Sequence, residues 1–341
     1  LHLTPEEKMG ILERPIDNAY AYECYLRANQ EVTRMTEDAL ERALTHLRNG
    51  LELIGPNALL YAGMAYVYWQ YVNIGARQQE YVEKAEEYVW KAFQLDPKSP
   101  KGHLILGLIY QAVRGDQQQS VRHFKRVLAV EPNNPDALTW LTIGYAVVGR
   151  TAEALPLAER LVKIEPLASR SYSALSEVFY YGGEYERACA VMKKAFDLDP
   201  LNPARQLWYA YTLIYSGRRE EGAAQVDEAA KKAPGHFYVK LGLFLRHALR
   251  GDSEAVADVV TPDVVETAKR DPQYSNWMGA FYSVLGDTEK SLDWLENCVN
   301  RGFTNYPFMS RHDPLLANVR GNERFEALMT RVKALWEQFE A

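Results

Sequence analysis

The sequence predicts an all-α repeat protein, because two independent residue clocks run at a period near 34 and the segments between them are helical in pattern. Gly115, Gly149, Gly183, Gly217 and Gly251 are each separated by 34 residues, and Gly286 follows after 35. Pro97, Pro132, Pro166, Pro200 and Pro234 are spaced 35, 34, 34 and 34, each preceded by Asp, Glu or, once, Ala. Between them apolar and small residues recur at three-and-four spacing, with almost no alternating β-branched run, which fits helices and not strands. Each unit therefore reads as a helical hairpin. The glycine supplies the left-handed backbone at which the first helix turns back, and the proline follows the second helix, whose hydrogen-bond ladder it cannot continue.

Taken in order, residues 1–18 read as a linker or short leading helix, with a Thr-Pro-Glu-Glu helix start at Thr4 and a stop at Pro15. The repeat array covers 19–301, with about eight hairpins starting near Ala19, Asn57, Pro100, Pro135, Ser169, Pro203, Phe237 and Gln273. Five positions after each turn glycine stand Ser120, Ala154, Ala188, Gly222, Val256 and Ser291, mostly small side chains that let paired helices approach closely. Leu141, Leu175, Tyr209, Leu243 and Met278, eight before it, and Phe124, Met192, Val226 and Leu295, nine after it, are expected to fill the shared core. In the second hairpin about eight extra residues around Gly75 to Tyr81 are expected to lengthen the turn. In the seventh, Pro262 should break the second helix, and Phe244 occupies a position that is otherwise small. The tail, 302–341, ends in a capping helix over Asn322 to Glu340 with Phe325, Leu328, Met329, Val332, Leu335, Trp336 and Phe339 on one stripe.

The charge balance, 39 Lys+Arg against 45 Asp+Glu over 341 residues, gives a net charge of −6 and no clustered basic surface, which argues against nucleic acid as partner. The longest apolar stretches, Ala58 to Trp69 and Ala137 to Gly149, fall short of the roughly 18 residues of a membrane span. Cys24, Cys189 and Cys298 are odd in number and far apart, so they read as buried thiols without disulfide or metal-ligand spacing. The cytoplasm is the expected compartment on that basis, with the periplasm as the alternative. The start at Leu1, without Met or a leader, is expected of a piece excised from a longer chain.

No phosphate-cradling glycine loop, Gly-x-Ser-x-Gly elbow, His-Glu-x-x-His pair or paired Cys occurs, so neither catalysis nor a cofactor or metal is expected. Arg311-His312-Asp313 superficially suggests a phosphotransfer loop, but no glycine-rich loop or lysine strand accompanies it, and a tail turn is the better reading. His103 and His247 lie at aromatic positions and read as packed imidazoles.

The unit from Pro135 to Pro166, or from Ser169 to Pro200, with its aromatic, Leu, small, Tyr, Ala, Phe, Ala and Pro order, resembles the tetratricopeptide repeat (TPR). That family implies a right-handed superhelical solenoid whose concave wall is lined by the first helix of each hairpin. The Glu13-Arg14-Pro15 opening, the helix Ala21 to Arg27 and the tail from Gly302 to Met329 are similar to the TPR-bearing C-terminal regions of multidomain bacterial signalling proteins, which carry a serine/threonine kinase, a nucleotide cyclase or a DNA-binding transcriptional-regulator domain. Projected onto the family's wall, the groove residues are Tyr66, Trp69, Lys101, Gln111, Arg170, Tyr180, Tyr181, Tyr211, Tyr215 and Tyr238.

The clamp that TPR modules use on acidic chaperone C-termini is missing, since Ala62, Leu104, Thr139, Ser173, Leu207 and Leu241 stand at the fifth positions. The implied function is a non-catalytic scaffold gripping a protein or peptide segment through apolar and aromatic anchors. Inward tyrosines that merely pack on one another are the competing reading. Two other functions stay open: the regulatory segment of a kinase or cyclase whose catalytic domain is absent from this chain, and a homo-oligomeric assembly module.

Overall fold

The computed structural model describes residues 16–75 and 78–340, and among these all regular structure is helical. The leading segment expected over Thr4 to Pro15 lies outside the described residues. Successive hairpins are formed by α1 (Ala19–Val32) with α2 (Glu37–Ile54), α3 (Ala58–Asn73) with α4 (Gln78–Leu95), and α5 (Pro100–Ile109) with α6 (Gln117–Val130). They continue with α7 (Pro135–Val147) and α8 (Thr151–Ile164), α9 (Ser169–Tyr181) and α10 (Tyr185–Leu198), and α11 (Pro203–Tyr215) and α12 (Arg219–Lys232). The seventh pairs α13 (Phe237–Ala248) with α14 (Ser253–Val259) and α15 (Pro262–Arg270), the eighth α16 (Pro272–Leu285) with α17 (Thr288–Asn300), and α18 (Glu323–Gln338) ends the chain.

Local chemistry sets both ends of the first helices. Asn18, Asn57, Asn134, Asn202 and Asp271 accept hydrogen bonds from first-turn amides, and Pro135, Pro203 and Pro272 occupy the first helical position, where no amide is missed. At the other end the turn glycines have φ between +65° and +88°. The residue after the glycine donates back to the last turn, as Arg150 to the Tyr145 carbonyl, Glu184 to Phe179 and Arg218 to Leu213. This closes the helix end with the same motif in repeat after repeat. Small residues then bring the two helices together: the Ser176 hydroxyl reaches the Ala188 carbonyl at 2.8 Å, and Ser291 reaches Gly279 at 2.7 Å.

The irregular hairpins resolve as follows. The extra residues of the second do not make a long turn; they extend α3 and α4 to 16 and 18 residues, against 13 and 14 in α9 and α10. The extension is held by a tyrosine stack, Tyr71 on Tyr81 at 4.4 Å and Tyr68 on Tyr88 at 5.5 Å, so ring burial favours helix over loop. Pro262 does start a new helix, α15, after the short α14. Phe244 is fully buried against Phe281 and Tyr282, because the close approach is made by Gly242 instead, where a Cβ would come within 2.6 Å of Leu207.

Packing divides the chain into two compact units: one runs up to Ile109 and takes in Arg126–Pro132, the other comprises Tyr110–Lys125 and everything from Asn133 on. The first has Leu40, Leu44, Leu47, Leu60 and Met64 at its centre. In the second, the tail runs back along the hairpin turns. The Gly302 backbone lies against Gly115, Asn305 against Gly149 and His312 against Gly183, whereas no atom of the described residues stands within 4 Å of where a Cβ on Gly217, Gly251 or Gly286 would be. Phe303, Phe308, Met309, Leu316 and Val319 of this tail are fully buried. The terminal helix then packs on α17, where Arg324 pairs with Glu289, Asp293 and Glu296, and its last turn receives Arg150, whose guanidinium donates to the Trp336 and Phe339 carbonyls.

Within the second unit α16 also meets α9. The Gln273 amide donates to the Tyr181 hydroxyl at 2.7 Å and to a Glu177 carboxyl oxygen at 3.3 Å. Burial pushes the Glu177 carboxyl up to about 7, against the pull of the Gln273 hydrogen bond and Arg205, and with Asp271 adding to the rise.

Two outcomes are expected in equilibrium denaturation. Gly302→Ala should lose about 4 kcal/mol or more, since its Cβ would sit 2.1 Å from the Gly115 carbonyl oxygen. Gly286→Ala, at a similar φ in open space, should lose only the left-handed strain of about 1–2 kcal/mol. Because the folded-state value of Glu177 is raised from 4.5 to about 7, its contribution is fully present below pH 4.5 and is lost as pH rises through 7. Glu177→Gln should therefore flatten that fall and exceed the wild type at pH 8 by up to about 3 kcal/mol; an unchanged pH profile would contradict the assignment.

Candidate functional site

The residues projected onto the family's wall divide into two groups. In the first unit, Lys101 at the start of α5 donates to the Tyr25 hydroxyl at 3.2 Å and to the Asn29 side-chain oxygen at 3.3 Å, both on α1. Its ammonium also stands 5.0 Å from the Tyr25 ring centre and 4.9 Å from that of Tyr66 on α3. One cation thus ties three successive first helices together through hydrogen bonds and ring faces. Beside it Tyr22, stacked on Tyr25, is 42% exposed and Leu26 is 49% exposed. Trp69, expected on this wall, is buried instead.

In the second unit the expected open groove of tyrosines is covered by the chain itself. Tyr180 and Tyr211 have no exposed surface, and Tyr181 and Tyr215 are buried. Tyr180 packs on Tyr215, Trp208 and Phe308, and Tyr181 on Phe303 and Phe308, so the tail occupies the space in front of α9. Tyr211 stands edge-on to Trp277 at 4.9 Å and to Phe281 at 5.5 Å, so α16 covers α11. Tyr238 of α13 hydrogen-bonds Tyr274 of α16. Burial drives the Tyr180, Tyr181, Tyr211 and Tyr215 hydroxyls well above the ordinary tyrosine value, so they stay neutral.

Two polar members of the expected wall are Arg170 and Gln111. Arg170 is held between Asp136 at 2.6 Å and Glu165 at 2.9 Å. Gln111 is buried in the π-helical turn Tyr110–Arg114. Of the ten expected wall residues, Trp69, Gln111, Tyr180, Tyr181, Tyr211 and Tyr215 are buried. The structure joins Tyr66 and Lys101 to Tyr25 and Asn29 of α1, with Tyr22 stacked on Tyr25, none of which the sequence reading singled out on α1. Their signal was present in the run Tyr20, Tyr22, Tyr25 and Leu26 on a helix with an exposed face. The covering residues Phe303, Phe308 and Trp277 carried no such signal, because nothing local says where a tail will pack.

The Arg311-His312-Asp313 turn is structural. The Asp313 carboxyl caps the short turn Pro314–Leu316 by accepting from the Leu315 amide, and the His312 carbonyl accepts from the Tyr185 hydroxyl. Burial raises Asp313 to about 6. All three cysteines are buried and unpaired, and no helix among the described residues is long and apolar enough to cross a membrane.

Comparison with known proteins agrees with this architecture. A tetratricopeptide repeat family model matches residues 169–200. The chain is 26% identical over 216 residues to cellulose synthase operon protein C of Pseudomonas fluorescens, covering 60% of this chain and 17% of that protein. It is 24% identical over 165 residues to the TPR repeat-containing protein YpiA of Bacillus subtilis, covering 48% of this chain and 39% of the relative. The chain thus spans well under half the length of these curated relatives. A solved tetratricopeptide repeat protein from Parabacteroides merdae superposes with a TM-score of 0.53 at 12% identity, over 83% of this chain and 100% of that one. Helical hairpins at a 34-residue pitch, closed by left-handed turn glycines, with one of them at residues 169–200 matched by the family's own model, support a tetratricopeptide repeat protein.

Proposed function

We propose that the chain is a protein-interaction module, without catalysis of its own, that receives a partner segment on the wall formed by α1, α3 and α5. The repeat architecture is that of a protein-interaction scaffold, and proteins of this kind are typically non-enzymatic. The observation that carries the choice of wall is the contrast between the two units. The tyrosines of the second are buried under α16 and the tail, whereas Tyr22 and Leu26 of the first keep nearly half their surface exposed beside the Lys101 cluster.

A partner anchored by an apolar or aromatic side chain can cover Tyr22 and Leu26, and aromatic anchors on rigid helices contribute strongly for little ordering cost. The Lys101 ammonium, held by Tyr25, Asn29 and Tyr66, fixes the spacing of the three helices that such a segment would cross. Recognition on this wall needs no groove in the second unit.

The test is affinity capture with quantified recovery, using the wild-type chain, the double variant Tyr22→Ala/Leu26→Ala, Lys101→Glu, and Leu201→Ala as a control at an exposed position far from the wall in sequence. Circular dichroism checks that helicity is retained. Both wall variants should lower recovery about tenfold or more, as expected for anchor residues worth at least 2 kcal/mol, while Leu201→Ala leaves it unchanged. Equal recovery from folded wall variants would remove this wall from the function.

A further inference from the structure

Where α9 meets α16 in the second unit, a carboxyl is enclosed without the cation that ordinarily accompanies a buried acid. Glu177 is only 7% exposed, and among the described residues no Lys or Arg stands within 4 Å of its oxygens. From α16 it receives a hydrogen bond at 3.3 Å from the Gln273 amide, whose nitrogen also donates to the Tyr181 hydroxyl at 2.7 Å. Burial acts on the carboxyl most strongly and holds it up at about 7. The Gln273 hydrogen bond and Arg205 of α11, from beyond ion-pair distance, favour the charged form, and Asp271, the N-cap of α16, opposes it. The other titratable neighbours, Tyr181, Tyr238 of α13 and Tyr274 of α16, are kept neutral by burial. The seat of α16 is also poor in polar partners. Asn276 has no exposed surface, yet among the described residues neither atom of its side-chain amide has a hydrogen-bond partner, and the buried Trp277 indole N–H has none. Such groups regain their bonds when water reaches them, so lifting this end of α16 is opposed less than its apolar packing alone implies.

We propose that Glu177 is a proton-controlled latch on α16: uncharged, it lets the N-terminal half of that helix lie on α9 and over Tyr211, and charged, it favours a form in which that half lifts and water reaches the carboxylate. The physical reason is solvation, since a carboxylate with no ion-pair partner is far more costly to enclose than a neutral carboxyl, and a second carboxyl, Asp271, stands at the same end of α16. The closed form binds the proton more tightly than an exposed glutamate with its value of 4.5. The open fraction therefore rises with pH, about tenfold between pH 6 and pH 8. Opening uncovers Tyr211 and Trp277, which pack edge-on at 4.9 Å in the closed form. It leaves the tail's cover over Tyr180 in place. None of these residues belongs to the wall proposed for protein partners, so the two readings stand or fall separately.

The experiment follows amide hydrogen exchange by mass spectrometry on the full chain across pH 6 to pH 8, with each rate corrected for the intrinsic chemical exchange at that pH. Amides of residues 273–281 should exchange before those of α10 and α12, through an opening about tenfold more populated at pH 8 than at pH 6. Glu177→Gln, which keeps the shape and removes the ionisation, should hold α16 at its low-pH protection throughout. That position is buried and the variant can affect folding, so Arg205→Met, at a partly exposed position on α11, gives a second reading. Without the guanidinium the carboxyl ionises less readily, and the midpoint of the pH dependence should move upward. The proposal is overturned by α16 protection that does not change with pH, by α16 exchanging in step with α10 and α12, by a folded Glu177→Gln that keeps the pH dependence, or by an unmoved midpoint in Arg205→Met.

Discussion

The second unit depends on one close approach, the backbone of Gly302 against that of Gly115, with no room for a Cβ on the tail side. From that point the tail is committed to run along the turns of the third, fourth and fifth hairpins, where Asn305 donates to the Ala146 carbonyl at 2.9 Å and His312 settles on Gly183. Turn glycines here serve two purposes. Their positive φ ends a helix, and their bare α-carbons form the track on which another segment lies.

Once the tail is seated, Phe303 and Phe308 fill the space in front of Tyr180 and Tyr181, while Trp277 and Phe281 of the eighth hairpin fill the space in front of Tyr211. Edge-to-face aromatic packing of this density is interior, and it converts a surface that repeat proteins commonly present to ligands into core. The same enclosure isolates Glu177 and Asp313 from water and holds both carboxyls near neutrality. Tyr20 and Tyr22 of α1 stay exposed, beside the Tyr25, Tyr66 and Lys101 cluster, and it is on this face of the first unit that interaction is proposed.

The repeat was legible because it is local. The glycine and proline clocks, the Asn and Asp caps and the small residues between paired helices each act within one hairpin, and Gly149 followed by Arg150, or Ser176 opposite Ala188, does the same work wherever it recurs. The added residues of the second hairpin were misplaced into a turn because the tyrosines that stack along the longer helices, Tyr71 on Tyr81 and Tyr68 on Tyr88, lie on different helices and show no mutual signal in the chain. Phe244 looked out of place for a similar reason: Gly242, two residues earlier, makes the close approach.

By itself the sequence determined the all-helical class, the hairpin pitch, the split of the seventh hairpin at Pro262 and the amphipathic final helix, since each follows from backbone preferences and periodicity over fewer than forty residues. Only the tertiary structure decided which tyrosines are available. An inward position on a helix says that a side chain leaves the hairpin's own core, but whether it then meets a partner or residue 308 of its own tail is set by contacts more than a hundred positions apart, as between Tyr180 and Phe308. Those contacts depend on the path of the whole chain and on a single glycine-to-glycine approach, for which no periodic pattern is required.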